Sequence, residues 1–278
     1  MSKQIWRLIA TGPLSGAENM AVDEALLNAF NPQSSLPVLR LYGWTPPALS
    51  LGRFQKAADV LDMHICRADN VPLVRRITGG GVIYHADELT YSIVCSPEQI
   101  PPASSVKDSF RVLTGFLLEF YKKIGFDAGY AFESNATGLP LGERTPFCFA
   151  GRETFDIIVN GRKIGGNAQR RLKYLIFQHG SIPVINRAEK GLSYMLEHQL
   201  NLIAGTTGIT ECSGGKAETV LLDSPYTALF EQLKESFKVC FAVDFFEDSL
   251  SLDEQTLVAE LLETRYLKDG WNLDGANR

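Results

Sequence analysis

The spacing of apolar residues predicts four helices. In the clearest one, apolar side chains recur at every third or fourth position from Val106 to Ile124, so that they share one face. Gly125 follows directly and is suited to end this helix. Ser251 and Glu254 match a capping box, which predicts where the last helix begins. The four predicted helices cover residues 18–30, 104–124, 227–241 and 251–266.

Runs of β-branched and aromatic residues predict strands between these helices. Asn160 and Gly161 join two of the runs, and this pair is typical of a tight hairpin turn. Gly180 is expected to break a later run, and the stretch 134–154 shows no periodicity. The predicted strands cover residues 6–10, 38–44, 48–51, 89–95, 155–159, 162–168, 174–182 and 243–246. No repeat or linker composition occurs, so we expect one mixed α/β (α+β) domain, an antiparallel-rich mixed sheet flanked by helices.

Composition narrows the class of protein. The 278 residues are 45% apolar and 21% charged, which permits a full core and argues against disorder. The net charge of −5 gives no general case for nucleic-acid binding. No apolar run reaches the roughly 18 residues of a membrane span, and the first residues lack the apolar run of a signal peptide. We therefore expect a cytoplasmic protein that binds neither nucleic acid nor membrane.

The five cysteines are widely spaced and include no Cys-x-x-Cys pair. This spacing favours neither a disulfide framework nor a structural zinc site. The four histidines are equally scattered along the chain. We therefore expect no metal site.

The segment 73–85 combines two arginines with three consecutive glycines. Arg75 and Arg76 end a strand-like run and would attract an anion. The glycines 79–81 permit close backbone approach or positive φ angles. Their spacing is neither that of a P-loop nor that of a dinucleotide-binding loop, and it suits an elongated ligand. The alternative is a glycine-rich hairpin turn with solvated arginines.

Lys163 lies just after the predicted hairpin turn, and small residues follow it. A lysine there can place positive charge on a carbonyl or phosphate oxygen, whereas a surface lysine is the alternative. Between Asp156 and Glu189 no carboxylate side chain occurs. The basic residues of this stretch are Arg162, Lys163, Arg170, Arg171, Lys173 and Arg187. They form either a solvated basic face or a docking patch for an acidic partner.

Cys148 lies within the aperiodic stretch, between Phe147 and Phe149. An unperturbed thiol is only slightly ionised at neutral pH, so a nucleophilic cysteine needs a positive neighbour. Lys163 would supply that charge if the stretch folds over the hairpin. The alternative is a buried structural cysteine.

Together these features resemble the lipoate-protein ligase and octanoyltransferase superfamily, which is related to the biotin ligases. The resemblance rests on the motif from Arg75 to Gly81 with His85, followed by the motif from Lys163 to Gln169. Further matches are Asn19-Met20-Ala21, Asp23-Glu24 and His179-Gly180-Ser181-Ile182. The resemblance covers about residues 5–246, and the order of the two motifs is specific.

The resemblance implies a biotin/lipoate ligase-like catalytic domain in which the glycine segment roofs a tunnel for an acyl chain. It implies that Lys163 holds the acyl carbonyl. The residues that it implies for substrate binding are Arg75, Arg76, Thr78, Gly79, Gly80, Gly81, His85, Gly165, Asn167 and Ala168. The catalytic domain is expected to span residues 1–246, with 247–278 as a short C-terminal helical extension.

Cys148 distinguishes two reactions within this superfamily. Lipoate ligases activate free lipoate with ATP and usually carry a large accessory domain. Cysteine-dependent octanoyltransferases take an octanoyl group from octanoyl-acyl carrier protein onto a cysteine and pass it to a lysine of a lipoyl domain. In that branch the cysteine precedes the lysine hairpin in a Cys-Phe context, which Cys148 and Phe149 match. The segment after residue 246 is also too short for an accessory domain.

The resemblance therefore implies an acyltransferase with Cys148 as nucleophile and Lys163 as the cation at the carbonyl. Exchange between thioesters is nearly isoenergetic, so we expect no nucleotide, metal or other cofactor. The implied partners are octanoyl-acyl carrier protein and lipoyl-domain proteins, such as glycine cleavage H protein and the acyltransferase subunits of 2-oxoacid dehydrogenases. These carriers are typically acidic, which gives the basic stretch a use. Arg75 and Arg76 would then shape the glycine loop or contact the carrier's phosphopantetheine arm.

Several alternatives stay open at this level. His85 is a candidate base for the accepting lysine, and a structural histidine is the other interpretation. The protein is alternatively an ATP-dependent lipoate-protein ligase whose accessory function lies on another chain. A third possibility is octanoyl transfer from one lipoyl domain to another through the same cysteine. A fourth is a catalytically dead lipoyl-domain-binding module.

Overall fold

The structure is a computed structural model that describes residues 3–103, 105–133, 146–147, 153–197, 200–213 and 225–275. Its α-helices are α1 (Gly16–Ala29), α2 (Ala57–Val60), α3 (Met63–Ala68), α4 (Val106–Lys123), α5 (Ala188–Leu192), α6 (Ile209–Cys212), α7 (Pro225–Phe241) and α8 (Leu252–Leu261). Its strands are β1 (Gln4–Leu14), β2 (Val38–Trp44), β3 (Ala48–Leu51), β4 (Leu73–Arg75), β5 (Ile83–His85), β6 (Glu88–Cys95), β7 (Ala128–Tyr130), β8 (Ile157–Val159), β9 (Arg162–Ile164), β10 (Gly166–Arg171), β11 (Ile176–Pro183), β12 (Thr206–Thr207) and β13 (Val243–Asp248). Single 3-10 turns cover Pro97–Gln99, Ala131–Glu133 and Leu200–Gly205, and π-helical turns cover Leu262–Tyr266 and Gly270–Asp274.

The largest sheet has six strands in the order β10, β11, β6, β2, β1 and β13. The pairs from β10 to β2 are antiparallel, and β2, β1 and β13 are parallel to one another. Helices α4 and α7 pack on one face of this sheet, and α1 packs on the other. The mixed α/β prediction, with an antiparallel-rich sheet, is confirmed. The four predicted helices are also confirmed to within a few residues at their ends.

Helix α1 is buried along most of its length, from Asn19 to Leu27. One side faces the large sheet, and the other faces α8 and the π-helical turn at 262–266. A helix covered on both sides does not need a single apolar stripe. This explains why its apolar residues follow the helical period only roughly. Ser15 and Glu18 form a capping box that begins the helix.

The hairpin predicted at Asn160 and Gly161 is confirmed. Both residues have positive φ angles, 49° and 76°, as a two-residue hairpin turn requires. The single strand predicted over 162–168 is wrong, because it is divided into β9 and β10. Gly165 separates them with a φ of +82°, a backbone conformation that glycine adopts readily. As a result β9 joins a sheet with β8, β7 and β12, while β10 lies at the edge of the large sheet.

The glycine segment connects β4 to β5, but these strands do not pair with each other. Both pair with β3, which lies between them. The alternative of a simple hairpin turn with solvated arginines is therefore wrong. Arg75 and Arg76 are also almost completely buried, with 0% and 1% of their surface exposed.

Gly180 does not break its strand as expected, because β11 continues from Ile176 to Pro183. The strand is paired on both sides, with β6 and with β10. Gly180 instead makes room for neighbouring side chains: a Cβ atom there would lie 2.1 Å from Oδ1 of Asn167 and 2.5 Å from Tyr91. The glycine thus permits close packing at the position where the cavity described below is found.

The C-terminal segment packs against the rest of the domain. Tyr266 and Trp271 are buried in a cluster with Met20 of α1 and Val74 of β4. The ring planes of Tyr266 and Trp271 are perpendicular, with their centroids 6.3 Å apart. The domain boundary predicted at residue 246 therefore divides residues that pack in one apolar cluster, since Met20 and Val74 precede it and Tyr266 and Trp271 follow it. Across the ranges described, no helix has the length and apolarity needed to cross a membrane.

Candidate active site

A narrow cavity lies beside α1, where β3 and β5 meet the edge of the large sheet. The predicted substrate-binding residues that border it are Arg76, His85, Asn167 and Ala168. The remaining residues of its wall are Met20, Tyr42, Trp44, Ser50, Ile83, Thr90, Gly166, His179, Gly180 and Ser181. The two motifs found in the sequence therefore meet at one cavity.

Arg75 lies behind this cavity and clamps two segments of backbone together. On one side its guanidinium donates to the carbonyl oxygens of Gly52, Arg53 and Gln55. On the other side it donates to the carbonyls of residues 271–273, at 2.6 to 3.1 Å. Arg75 thus joins the C-terminal segment to the loop after β3, whose Gly52 packs against Gly80.

Arg76 borders the cavity and also holds the glycine loop. Its Nη2 donates to the carbonyl oxygens of Gly79 and Gly81, at 3.0 and 2.6 Å. Its Nη1 donates to the backbone carbonyl of Ser50 at 3.0 Å. Gly80 has a φ of +101°, and its carbonyl oxygen would lie 1.9 Å from a Cβ atom on Gly52. The close backbone approach expected of the glycines is thus found between two loops of the protein.

His85 forms a buried network on one wall of the cavity. Its Nε2 hydrogen-bonds with Oγ of Ser50, and its Nδ1 with Oε1 of Glu88, both at 2.7 Å. Its ring stacks on that of Trp44, with centroids 3.8 Å apart. Thr90 and Ser181 donate to the same Glu88 carboxylate. Both ring nitrogens are engaged, which favours the structural interpretation of His85 over that of a base.

Thr78 and His179 form a second network, in which His179 borders the cavity. Oγ1 of Thr78 lies 2.7 Å from Nε2 of His179, and Nδ1 of His179 lies 3.6 Å from Oδ2 of Asp23. Burial lowers the pKa of His179, although Asp23 opposes this shift. The imidazole is therefore neutral at pH 7, and its contact with Asp23 is not an ion pair at that pH. The wall facing a ligand carries no net charge from this histidine.

Asn167 and Gly165 contribute to the site from the start of β10. Oδ1 of Asn167 accepts a hydrogen bond of 2.7 Å from the hydroxyl of Tyr91. Ala168 lies opposite His179 in the antiparallel pairing of β10 with β11. Gly165 does not border the cavity, but it turns the chain from Lys163 to the cavity wall.

Lys163 lies in a buried ion pair with Asp156. Its Nζ is 2.7 Å from Oδ2 of Asp156, and the two side chains are only 6% and 5% exposed. The alternative of a surface lysine is therefore wrong. Asp156 was not predicted as a site residue. The hairpin register could have indicated it, because Ile158 pairs with Lys163 and Asp156 lies two residues before Ile158 on the same face.

Cys148 lies outside the described residues, as does most of the stretch 134–154. The neighbouring Phe147 is described, and it is buried. It forms a parallel bridge with Val82, whose backbone N–H donates to the carbonyl of Pro146 at 2.7 Å. The chain is therefore held at the end of the glycine segment immediately before Cys148.

The basic stretch does not form one continuous surface. Lys163 is buried, and Arg187 pairs with Asp87 at 2.6 Å. Arg171 donates to the hydroxyl of Ser109 at 3.3 Å. Within the described part of the chain, no group of three histidine, cysteine or acidic side chains is placed to hold a metal ion.

Among solved structures, the fold of this chain is similar to that of lipoate protein ligases. It matches a bipartite lipoate protein ligase from Thermoplasma acidophilum with a TM-score of 0.78. That ligase was described together with its E2 lipoyl domain. The match covers 99% of this chain and 98% of that one, at 21% sequence identity. The chain therefore has the fold of the lipoate ligases, as the resemblance implied.

Sequence comparisons define the family. The model of the lipoyl protein ligase A/B catalytic domain matches residues 15–211. The chain is 32% identical over 281 residues to an octanoyltransferase LipM of Exiguobacterium, covering 98% of this chain and 99% of the relative. It is 35% identical over 272 residues to that of Kyrpidia tusciae, covering 97% and 98%. The chain belongs to the lipoyl protein ligase A/B catalytic domain family.

Proposed function

We propose that this protein is an octanoyltransferase of protein lipoylation, with Cys148 as nucleophile and Lys163 as the cation at the acyl carbonyl. The observation that carries the proposal is the buried ammonium of Lys163, in a chain whose relatives over nearly its full length are octanoyltransferases. A buried, fixed positive charge stabilises an oxyanion more strongly than a solvated one.

The position of the described residues on either side of Cys148 supports its role. Phe147 is held against Val82, at the end of the glycine segment. Glu153 donates its backbone N–H to Asp156, the partner of Lys163, at 2.7 Å. The described residues that flank Cys148 in sequence therefore contact the glycine segment on one side and the partner of Lys163 on the other.

The other cysteines are poor nucleophiles. Burial raises the pKa of Cys66 to about 11 and that of Cys95 to about 12. Burial also raises the pKa of the half-buried Cys212 thiol, and the pKa of Cys240, an exposed residue, is raised by partial burial of its thiol and by the charge of Glu119. The thiolate is the reactive form of cysteine. A stable acyl adduct at neutral pH is therefore expected at Cys148.

In the first half-reaction, the Cys148 thiolate attacks the carbonyl carbon of an octanoyl thioester. A new carbon–sulfur bond forms, and Lys163 donates a hydrogen bond to the oxyanion. The bond to the carrier's sulfur then breaks. The carrier thiolate takes up a proton, which balances the proton that Cys148 lost on ionising. The octanoyl chain enters the site at the cavity that both sequence motifs border.

In the second half-reaction, the neutral amine of a lipoyl-domain lysine attacks the Cys148 thioester. A carbon–nitrogen bond forms, the carbon–sulfur bond breaks, and the Cys148 thiolate is restored. The amine proton is released to solvent. A free lysine has a pKa of about 10.4, so it must lose a proton before it attacks. The amide is more stable than the thioester, which drives the transfer forward.

The acyl donor in this proposal is octanoyl-acyl carrier protein, and the acceptors are lipoyl-domain proteins. Part of the basic stretch supports docking of such acidic carriers. Arg162, Lys173 and Tyr174 are exposed, and Nζ of Lys173 lies 4.8 Å from the centre of the Tyr174 ring. Cationic side chains at a rim increase the rate of association with an acidic partner.

The test is to incubate the protein with octanoyl-acyl carrier protein and to measure its intact mass. We expect the mass of one octanoyl group to be added in the absence of ATP. Cys148→Ala should abolish this adduct, whereas Cys212→Ala, a matched control at a half-buried thiol, should retain it. An adduct that persists unchanged in Cys148→Ala would contradict the proposal.

A second incubation distinguishes the related activities. The loaded enzyme is mixed with a lipoyl domain, and modification of its lysine is followed by mass. Transfer supports the octanoyltransferase, and loading without transfer to any lipoyl domain contradicts it. Modification that requires free octanoate or lipoate with ATP would instead identify a ligase. Octanoyl-lipoyl domain used as donor tests transfer between lipoyl domains.

A further inference from the structure

Asp156 uses one carboxylate oxygen to join two parts of the site. Its Oδ2 is 2.7 Å from Nζ of Lys163, and it also accepts the backbone N–H of Glu153 at 2.7 Å. The backbone of Asp156 is fixed as well, because its N–H donates to Glu153 and its carbonyl accepts from Ala131. Asp156 is therefore a rigid residue between the lysine and the chain that follows Cys148.

Asp156 is the carboxylate that pairs with Lys163 among the described residues. Strand β12 pairs with β9 and brings only Thr206 and Thr207 to it. The 3-10 turn at 200–205 also lies near β9 and contains no ionisable residue. On β9 itself, Arg162 is exposed. Because adjacent residues of a strand point to opposite faces, Arg162 points away from the face that carries Lys163. Strand β8 contains no ionisable residue, and Asp156 directly precedes it.

A buried ammonium without a counter-ion loses its proton more readily, because burial disfavours the charged form. An adjacent carboxylate opposes this loss. The same ion pair restricts the four flexible side-chain torsions of the lysine. Both effects act on the group that the proposed reaction needs as a charged donor.

We propose that Asp156 is a positioning residue, which keeps Lys163 charged and directed toward the acyl carbonyl during transfer. This inference rests on the proposed function. Asp156 itself does not touch the substrate. It acts through the lysine, and its carboxylate also accepts the backbone N–H of Glu153.

The experiment measures single-turnover acylation of Cys148 by octanoyl-acyl carrier protein from about pH 6 to about pH 10, a range that includes the titration of a lysine. Asp156→Asn keeps the size of the side chain and an acceptor for the Glu153 N–H, but removes the charge. Asp156→Glu keeps the charge and moves it by one methylene. Asp87→Asn is the matched control, because Asp87 pairs with Arg187 at the surface.

In Asp156→Asn we expect the alkaline fall of the acylation rate to begin about one to three pH units lower than in the wild type. Each unit lowers the protonated fraction of Lys163 about tenfold above its midpoint. Asp156→Glu should lower the rate and leave the alkaline limb in place. Asp87→Asn should reproduce the wild-type profile.

A purely structural role gives a different result. If Asp156→Asn shows the wild-type pH profile, reduced by the same factor at every pH, the inference is wrong. Circular dichroism establishes whether this variant folds. If it does not fold, Asp156→Glu decides, because a wild-type rate in that variant would exclude positioning by Asp156.

The outcome also separates this inference from the proposed function. If the wild-type protein acquires the octanoyl adduct and Asp156→Asn behaves as a uniformly slower enzyme, only the role of Asp156 fails. If the wild-type protein acquires no adduct, the octanoyltransferase proposal fails, and the role of Asp156 fails with it.

Discussion

Asp23 and Arg40 form an ion pair that is completely buried behind the cavity, with 2.7 Å between Nη1 and Oδ1. Ser92 and Tyr42 donate to the same carboxylate, at 2.7 and 2.9 Å. Burial opposes ionisation of Asp23, but Arg40 and the hydrogen bonds outweigh it, so its pKa is lowered. Such additional hydrogen bonds offset part of the desolvation cost of a buried ion pair. The network holds His179 in the cavity wall.

The buried histidine leads to a prediction about pH. Because the pKa of His179 is lowered by burial, the unfolded chain binds a proton more readily than the folded protein as the pH falls below about 6.5. The stability that the neutral histidine contributes is present above that pH and is lost as the pH falls toward the lower folded value. We expect the urea midpoint to decline between about pH 7 and about pH 5.

The matched variant for this prediction is His179→Gln, whose amide can still hydrogen-bond to Thr78. The variant should be less stable at pH 7 but should lose less of its stability on acidification. Equal slopes of urea midpoint against pH for the two proteins would show that His179 is not the group responsible.

Lys163→Ala should lower the rate of Cys148 acylation by at least about 10²-fold, the usual effect of removing one oxyanion donor. It should also lower the free energy of unfolding by about 3–5 kcal/mol, because Asp156 would be left buried without its partner. The rate is measured by single-turnover mass spectrometry, and the stability by urea unfolding.

Arg162→Ala is the control for Lys163→Ala, since Arg162 is the adjacent residue of β9 and is exposed. Its unfolding midpoint, and its acylation rate at a saturating concentration of octanoyl-acyl carrier protein, should stay near those of the wild type. A near-normal acylation rate in folded Lys163→Ala would remove the lysine from the mechanism.

At the scale of elements, the hairpin of β8 and β9 determines where Lys163 lies. Its turn was predictable because Asn160 and Gly161 act locally, through positive φ angles that few other residues adopt. The division between β9 and β10 was not predictable from the apolar pattern. It depends on Gly165, whose conformation is set by the carbonyl of Ser181 in the neighbouring strand.

Gly165→Ala should therefore destabilise the protein. A Cβ atom at this position would lie 2.1 Å from the carbonyl oxygen of Ser181, at a φ of +82°. Strained backbone of this kind costs about 1–3 kcal/mol, and the steric clash adds to it. Thermal or urea unfolding measures the effect.

Gly129→Ala is a suitable control, because Gly129 also lies in a strand but its Cβ atom would meet nothing within 4 Å. We expect its unfolding midpoint to change little. If the two alanine variants are equally stable, the conformation of Gly165 is not a constraint on the fold.

At the scale of the whole molecule, the glycine segment depends on a distant part of the chain. Arg75 is hydrogen-bonded to residues 271–273. The first of these, Trp271, is 196 positions away in the sequence. The motif itself was recognisable, because its residue types are unusual. The partner of Arg75 was not recognisable, since nothing near residue 272 indicates which strand it contacts. The same limit applies to Asp23, whose partners lie on β2, β6 and β11.

Trp271→Ala tests this long-range packing. Trp271 is 3% exposed, its ring lies 4.6 Å from the guanidinium carbon of Arg265, and its Nε1 donates to the carbonyl of Arg75 at 3.3 Å. Truncation of a buried tryptophan costs about 3–5 kcal/mol. Urea unfolding should show this loss in the main transition.

Leu267→Ala is the control in the same segment, because Leu267 is 66% exposed. Its stability should be close to that of the wild type. A separate early transition in Trp271→Ala, with the main transition unchanged, would instead mean that the C-terminal segment unfolds independently of the domain.

The clamp formed by Arg75 has a consequence for the order of events during synthesis. When Arg75 leaves the ribosome, three of its carbonyl acceptors are already within reach, in Gly52, Arg53 and Gln55. The others, at 271–273, are made only after almost 200 further residues have been added. A nascent chain can therefore form the large sheet and the β8–β9 hairpin while the glycine segment is still incompletely held. The backbone contacts made by Arg75 are therefore completed only when the C-terminal residues have been synthesised.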